Sequence, residues 1–173
     1  MKIEIRKAEL RDINNLAVLK QQVWISTYAK EGILDEFSRY VISEYSVENV
    51  KKSIQNINSM TLLATSNNCL IGCVEILLLP QRPTEEIEPC IEISTFYVLK
   101  GFQNKGIGKK LLTECIKKIK GLNFDKIWLS VYYKNQKAIE FYLRQNFNHI
   151  GETNFVLGDN KHKNYIMIKK LEM

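Results

Sequence analysis

Gln103, Gly106 and Gly108 stand in FYVLKGFQNKGIGKKLL, residues 96–112, a stretch that begins apolar, aromatic and β-branched and ends in helix-forming Lys and Leu. A glycine turn between a strand and a helix leaves consecutive backbone N–H groups unobstructed at the positive end of a helix dipole. That combination holds a phosphate or pyrophosphate. Lys105, Lys109 and Lys110 add charge around it. The spacing argues against two other phosphate loops. In the G-x-x-x-x-G-K-[ST] pattern Gly101 and Gly106 match, but Ile107 and Gly108 take the Lys and Ser/Thr places. In the G-x-G-x-x-G dinucleotide pattern Leu111 replaces the third glycine. A tight turn with a solvated lysine face is the purely structural alternative.

Other reactive side chains point to less. Cys69, Cys73, Cys90 and Cys115 lie in or beside apolar runs and form no C-x-x-C pair, and the two histidines, His149 and His162, are too far apart for a standard finger. No zinc or other metal site is expected, and the cysteines read as buried free thiols. No cysteine has a histidine nearby in spacing, as a covalent acyl-enzyme would require.

A chain of 173 residues, 45% hydrophobic and 25% charged, forms one domain over 1–173. The opening MKIEIRKAEL has no apolar leader and no run is long enough to span a bilayer, so a cytoplasmic protein without membrane attachment is expected. The net charge of +6 favours an anionic ligand. No interleaved aromatic and basic stripe accompanies it, so nucleic acid is not an expected partner.

The elements that must position the glycine turn follow from periodicity. KIEIRKA alternates as a first strand, and Asp12 is placed to cap a helix ending near Tyr28. A second helix starts near Val47 with Val50, Ile54 and Ile57 on one face, and residues 30–46 connect the two, carrying Phe37, Tyr40 and Tyr45. MTLLAT and LIGCVEILLL form a hairpin across Ser66, Asn67 and Asn68, and CIEISTFYV is the strand that leads into the turn. The helix after it presents Ile107, Leu111, Leu112, Cys115, Ile116 and Ile119 inward. KIWLSV, NQKAIEFYLRQ, NFVLG and NYIMIKKL complete a strand, helix, strand, strand order. This is an α/β (α+β) domain around a mixed sheet.

FYVLKGFQNKGIGKKLL resembles the acetyl-CoA-binding motif of the GCN5-related N-acetyltransferases (GNAT), and NQKAIEFYLRQNF resembles their later N-x-x-A-x-x-x-Y motif. The resemblance runs from IRKAELRDINNLAVL to the last strand. NFVLGDNKHKNYIMIKKL and WISTYAKEG look most like the bacterial spermidine/spermine acetyltransferases of that family. The fold implied is a single domain with about seven strands and about four helices. One departure is visible: Asn104 stands where the family often has Gly, and Asn tolerates a left-handed backbone better than other side chains.

The resemblance implies direct attack of an amine on the thioester of acetyl-CoA. The cofactor would meet the turn of Gln103, Asn104, Lys105, Gly106, Ile107, Gly108 and Lys109, the backbone of Phe96, Tyr97 and Val98, and Asn135 on the pantetheine arm. By its motif position Tyr142 is the acid for the leaving thiolate, and Glu92 the base, acting directly or through water. By spacing alone Tyr142 reads first as a core aromatic beside Phe141, and Glu92 equally as the outward residue of an alternating strand. Trp24, Tyr28 and Glu85 are the candidates at the acceptor, with Glu86 and Glu88 beside Glu85. Trp24 and Tyr28 would also serve to close the core, and the glutamates to solvate a loop. The expected partner is a small amine, spermidine or spermine first, with a second copy of the chain as a further candidate. The rivals are protein lysine or N-terminal acetylation and a non-catalytic acyl-CoA-binding module.

Overall fold

A single sheet carries the chain in the order β1-β2-β3-β4-β5-β7-β6. The structure, a computed structural model, describes residues 2–120, 122 and 124–171. The strands are β1 (Glu4–Lys7), β2 (Ser59–Ser66), β3 (Cys69–Gln81), β4 (Cys90–Val98), β5 (Lys126–Tyr132), β6 (Asn148–Leu157) and β7 (Asn160–Lys170). The helices are α1 (Ile13–Tyr28), α2 (Asp35–Glu44), α3 (Val47–Gln55), α4 (Ile107–Ile119) and α5 (Gln136–Arg144). No described helix is long and apolar enough to cross a membrane.

The hairpin forms where expected, with Asn67 and Asn68 at φ 49° and 63°. These are the left-handed values that two-residue turns need to match strand twist. Side chains then sort by alternation onto two faces. On one face Ile91, Ile127, Leu129 and Met167 pack under Leu111, Leu112, Cys115 and Ile119 of α4 and Ile139 and Tyr142 of α5. On the other face Leu63 and Cys73 pack under Leu16, Leu19 and Val23 of α1 and Val50 of α3. The Lys20 ammonium of α1 pairs there with Glu75 of β3 in the interior.

Four local expectations change. Residues 35–44 are not a connector but the helix α2, whose Phe37 and Val41 close on Trp24, Tyr45 and Leu157. Tertiary burial of these side chains, rather than propensity, holds such a short helix. Asp12 does not cap α1. Its carboxylate accepts a fork of two 2.7 Å bonds from Arg6 and one from the Glu9 amide, and Arg6 holds it well below the ordinary carboxylate pKa. Ile57 falls beyond α3 and is 88% exposed. Of the cysteines, Cys73, Cys90 and Cys115 are buried as expected, but Cys69 is exposed at the hairpin, where the turn residues leave it uncovered.

Candidate active site

The parallel pair β4 and β5 touches at only two registers, Ile91 with Ile127 and Glu92 with Trp128. Beyond that point β4 continues beside β3 and β5 beside β7, so their facing edges separate. A β-bulge accompanies the separation. Ser94 is an extra residue in β4, since Ile93 pairs with Ile76 and Thr95 with Glu75. Such a bulge bends its strand and raises its twist. The edge backbone of Phe96, Tyr97 and Val98 thus lies along the gap, paired on its other side to Val74, Cys73 and Gly72.

At the end of β4 the chain turns through Lys100–Phe102 into α4. Asn104 takes φ 61° and Gly106, the residue before the helix, φ 79°. The amides from Asn104 to Lys109 have no partner among the described residues; the first helical bond is Lys110 N–H to Gly106 O at 3.1 Å. Gln103 secures the turn by donating its carboxamide to Val98 O at 3.1 Å. The side chains of Lys105, Lys109 and Lys110 are exposed around it. Gly106 has open space where a Cβ would be. Gly108 does not: a Cβ there would stand 3.2 Å from two Phe141 ring atoms, so this glycine serves the packing of α4 on α5.

Asn135 precedes α5 and is its N-cap, its side-chain oxygen accepting from Ala138 N–H at 3.4 Å. It is therefore at the start of the helix that carries Tyr142. Tyr142 is buried among Phe96, Phe141 and Phe147, and its hydroxyl has no hydrogen-bond partner among the described residues. Burial pushes its pKa well above that of free tyrosine, and Tyr28 adds to the rise from the opposite face of the sheet.

Glu92 faces away from α4, between Leu77 and Trp128, with no cation paired to it among the described residues. Burial raises its pKa from the usual glutamate value. Farther along this face Tyr97 shares a 3.1 Å hydrogen bond with Tyr45. Tyr28, pushed up to about 12 by burial, packs 5.0 Å from Tyr132 and 4.6 Å from Trp24. Trp24 is buried between Tyr28, Phe37 and Tyr40 and closes the core. Glu85 is exposed in the loop between β3 and β4, its carbonyl accepting from Arg82, which also pairs with Glu88 at 3.9 Å.

Two cavities open on this face. One, about 310 Å³, is lined by Lys20, Glu44, Tyr45, Glu75 and Ser94 among others. The second, about 210 Å³, is bounded by Pro83, Trp128, Ser130, Phe155 and Asn164 among others. Trp128 and Asn164 were not singled out from sequence. The one available signal was that Trp128 and Ser130 are out of phase with the core residues Ile127, Leu129 and Val131.

With this geometry in place, comparison with known proteins is specific. The chain belongs to the acetyltransferase (GNAT) family, whose profile matches residues 30–147. It is an N-acetyltransferase with acetyl-CoA as co-substrate. The spermidine N(1)-acetyltransferase of Thermoplasma acidophilum is 28% identical over 99% of both chains. An uncharacterized N-acetyltransferase of Lactobacillus delbrueckii subsp. lactis is 22% identical over 98% of both. Among solved structures, the PaiA N-acetyltransferase of Thermoplasma acidophilum in complex with coenzyme A superposes with a TM-score of 0.80 at 26% identity, covering 98% of this chain and 99% of that one. The family fold, with a seven-stranded mixed sheet, is the one expected; it carries five helices where about four were anticipated.

Proposed function

We propose that the gap between β4 and β5 is where acetyl-CoA is held and attacked, and that the acceptor is a small polyamine such as spermidine or spermine. The observation that carries the reading is the early end of the β4–β5 pairing, immediately after Glu92 and Trp128. It exposes a strand edge to which the pantetheine amides add as an extra strand would. The pyrophosphate takes the free amides from Asn104 to Lys109, with Lys105 and Lys109 beside it. Asn135, at the mouth of the gap, holds the pantetheine arm.

Glu92 removes the proton from the alkylammonium, directly or through water. The amine lone pair then attacks the thioester carbon, and the tetrahedral adduct collapses with cleavage of the C–S bond. Tyr142 donates its proton to the departing sulfur. A buried tyrosine stays protonated at neutral pH. Full transfer to a thiolate is uphill for it, so it acts on the developing charge as the bond breaks. The adduct nitrogen sheds its surplus proton as the amide forms, and that proton restores the Tyr142 phenol; the products are an N-alkylacetamide and CoA, with the first proton left on Glu92 to return to solvent. The polyamine assignment is supported by the spermidine acetyltransferase relative and by Glu85, Glu86 and Glu88 on the loop that borders the smaller cavity.

The test is CoA release followed by thiol detection. Spermidine and spermine are expected to exceed alkyl monoamines of equal length; equal rates would remove the polyamine assignment. Tyr142→Phe keeps the ring and removes the proton, so turnover should fall by roughly a hundred- to ten-thousand-fold with acetyl-CoA affinity little changed. Turnover within about threefold of the parent would assign Tyr142 to the core alone.

A further inference from the structure

The larger cavity, about 310 Å³, is bordered by α1, α3, the junction between α2 and α3, and the β3–β4 pair. Its charged walls are Lys20, Glu44 and Glu75, two carboxylates against one ammonium. The ammonium is already committed, since Lys20 Nζ donates to Glu75 Oε2 in the interior. Glu75 Oε1 is left without a hydrogen-bond partner among the described residues. Glu75 is only 8% exposed, yet Oε1 is not one of the unpartnered atoms sealed from solvent, so its remaining surface opens where the residue borders the cavity. Thr95, also 8% exposed, offers its hydroxyl in the same way. Ser53 Oγ, by contrast, is sealed and takes no part. Glu44 is an exposed wall; whereas Asp35 and Glu48 pair with Arg39 and Lys52 on their own helices, it has no such partner among the described residues.

The chemistry of these groups restricts what can occupy the space. An anion would face two carboxylates with no uncommitted cation to receive it. A neutral ligand would leave the surplus negative charge uncompensated. A metal ion would find two carboxylates, one of them already held by Lys20, and no group of three His, Cys, Asp or Glu side chains gathers among the described residues. An alkylammonium has three donors and no acceptor, which matches acceptors on Glu75, Thr95 and Glu44. Tyr40 and Tyr45 also border the cavity, and aromatic faces attract a cation and pack against its methylenes.

The cavity is one step from the proposed base. Thr95 pairs with Glu75, and Glu92 pairs with Leu77, two residues farther along β3. Residues two apart in a strand share a face, so Glu75 and Glu92 are diagonal neighbours, roughly 7–8 Å apart. Ser94, the bulged residue, also borders the cavity. We infer that this cavity holds the second ammonium of the polyamine while the first is presented to Glu92, and that Glu44, Glu75 and Thr95 set the specificity. The inference rests on the acetyl transfer proposed above and says how its acceptor is recognised: by two nitrogens at a fixed separation.

The experiment compares kcat/KM for α,ω-diamines of increasing length with that for n-alkylamines of matching length, on the parent protein, Glu44→Gln and Thr95→Val. Glu44 is exposed at the C-terminal end of α2, where loss of a negative charge does not cost the helix, so this variant should fold. Thr95→Val keeps the shape and deletes the hydroxyl. The readout is the diamine-to-monoamine ratio, because general damage lowers both rates together. On the parent the ratio should peak at one chain length. At that length it should fall about three- to tenfold on Glu44→Gln and about threefold on Thr95→Val. A preference present on the parent and untouched by Glu44→Gln would overturn the inference alone. So would a preference erased by Glu85→Gln but not by Glu44→Gln, which would put the second ammonium at the smaller cavity. Equal rates for diamines and monoamines on the parent would remove the polyamine assignment together with the inference. If acetyl-CoA binds but no amine releases CoA, it is the transfer reading beneath both that fails.

Discussion

Glu92 is a carboxylate held half-buried between Leu77 and Trp128 without a compensating cation among the described residues. Such a group is unfavourable to the fold when ionised, and its raised pKa expresses that cost. Between its unfolded and folded pKa values the folded state binds more protons than the unfolded one, so stability falls as pH rises through that window. Glu92→Gln should therefore unfold at a higher temperature than the parent at about pH 7.5, the difference vanishing below about pH 4 where both states are protonated. Calorimetric scans at the two pH values check this. If Glu92 is the base, the same substitution should lower kcat/KM by roughly a hundredfold or more and abolish the acidic limb of its pH profile. A rise in stability with loss of activity marks a functional carboxylate; a purely structural outward residue would leave the rate alone. Of the site residues, Asn104 was legible in sequence down to its backbone conformation, because a left-handed turn position is a local property. Trp128 and Asn164 were not, since alternation places them on a face but does not say that the face is left open.

The start of α4 shows how two glycines in one motif serve different purposes. Gly106 has φ 79° and empty space around its α-carbon, whereas Gly108 is pressed against Phe141 of α5. Gly106→Ala should cost about 1–2 kcal/mol from the left-handed backbone and weaken CoA binding as the free amides shift. Gly108→Ala should cost about 1–3 kcal/mol by overpacking, and Phe141→Leu in the same chain should return part of it. Denaturant melts and titration calorimetry separate the two effects. Recovery of Gly106→Ala, rather than Gly108→Ala, by Phe141→Leu would contradict the assignment. From spacing both glycines read as space for an incoming phosphate. Only the position of α5 distinguishes them.

At the scale of the molecule, the sheet is held together at β4 and β5 by two paired registers and by the helices across its faces. A cofactor that adds backbone partners to the open edge should tie the halves together. At a hundredfold excess over Kd, CoA is expected to add about 2.7 kcal/mol, a rise in Tm of roughly 5–10 °C for a chain of this size. Because Lys105, Lys109 and Lys110 face solvent at the turn, the shift should shrink as ionic strength rises. Thermal scans over a salt series test both; a salt-independent shift would remove the lysines from the binding site. The sequence alone determined six of the seven strands and the second half of β6, four of the five helices, the glycine turn and the two motifs that bear the family resemblance, because each is written in spacings of two to four residues or in turn chemistry. The tertiary structure decided the rest. It folded residues 35–44 into α2 against Trp24, drew Asp12 to Arg6, ended the β4–β5 pairing at Glu92, and brought Trp128 and Asn164 to one cavity. These depend on which side chains fit together across strands and helices far apart in the chain, and no local period encodes that fit.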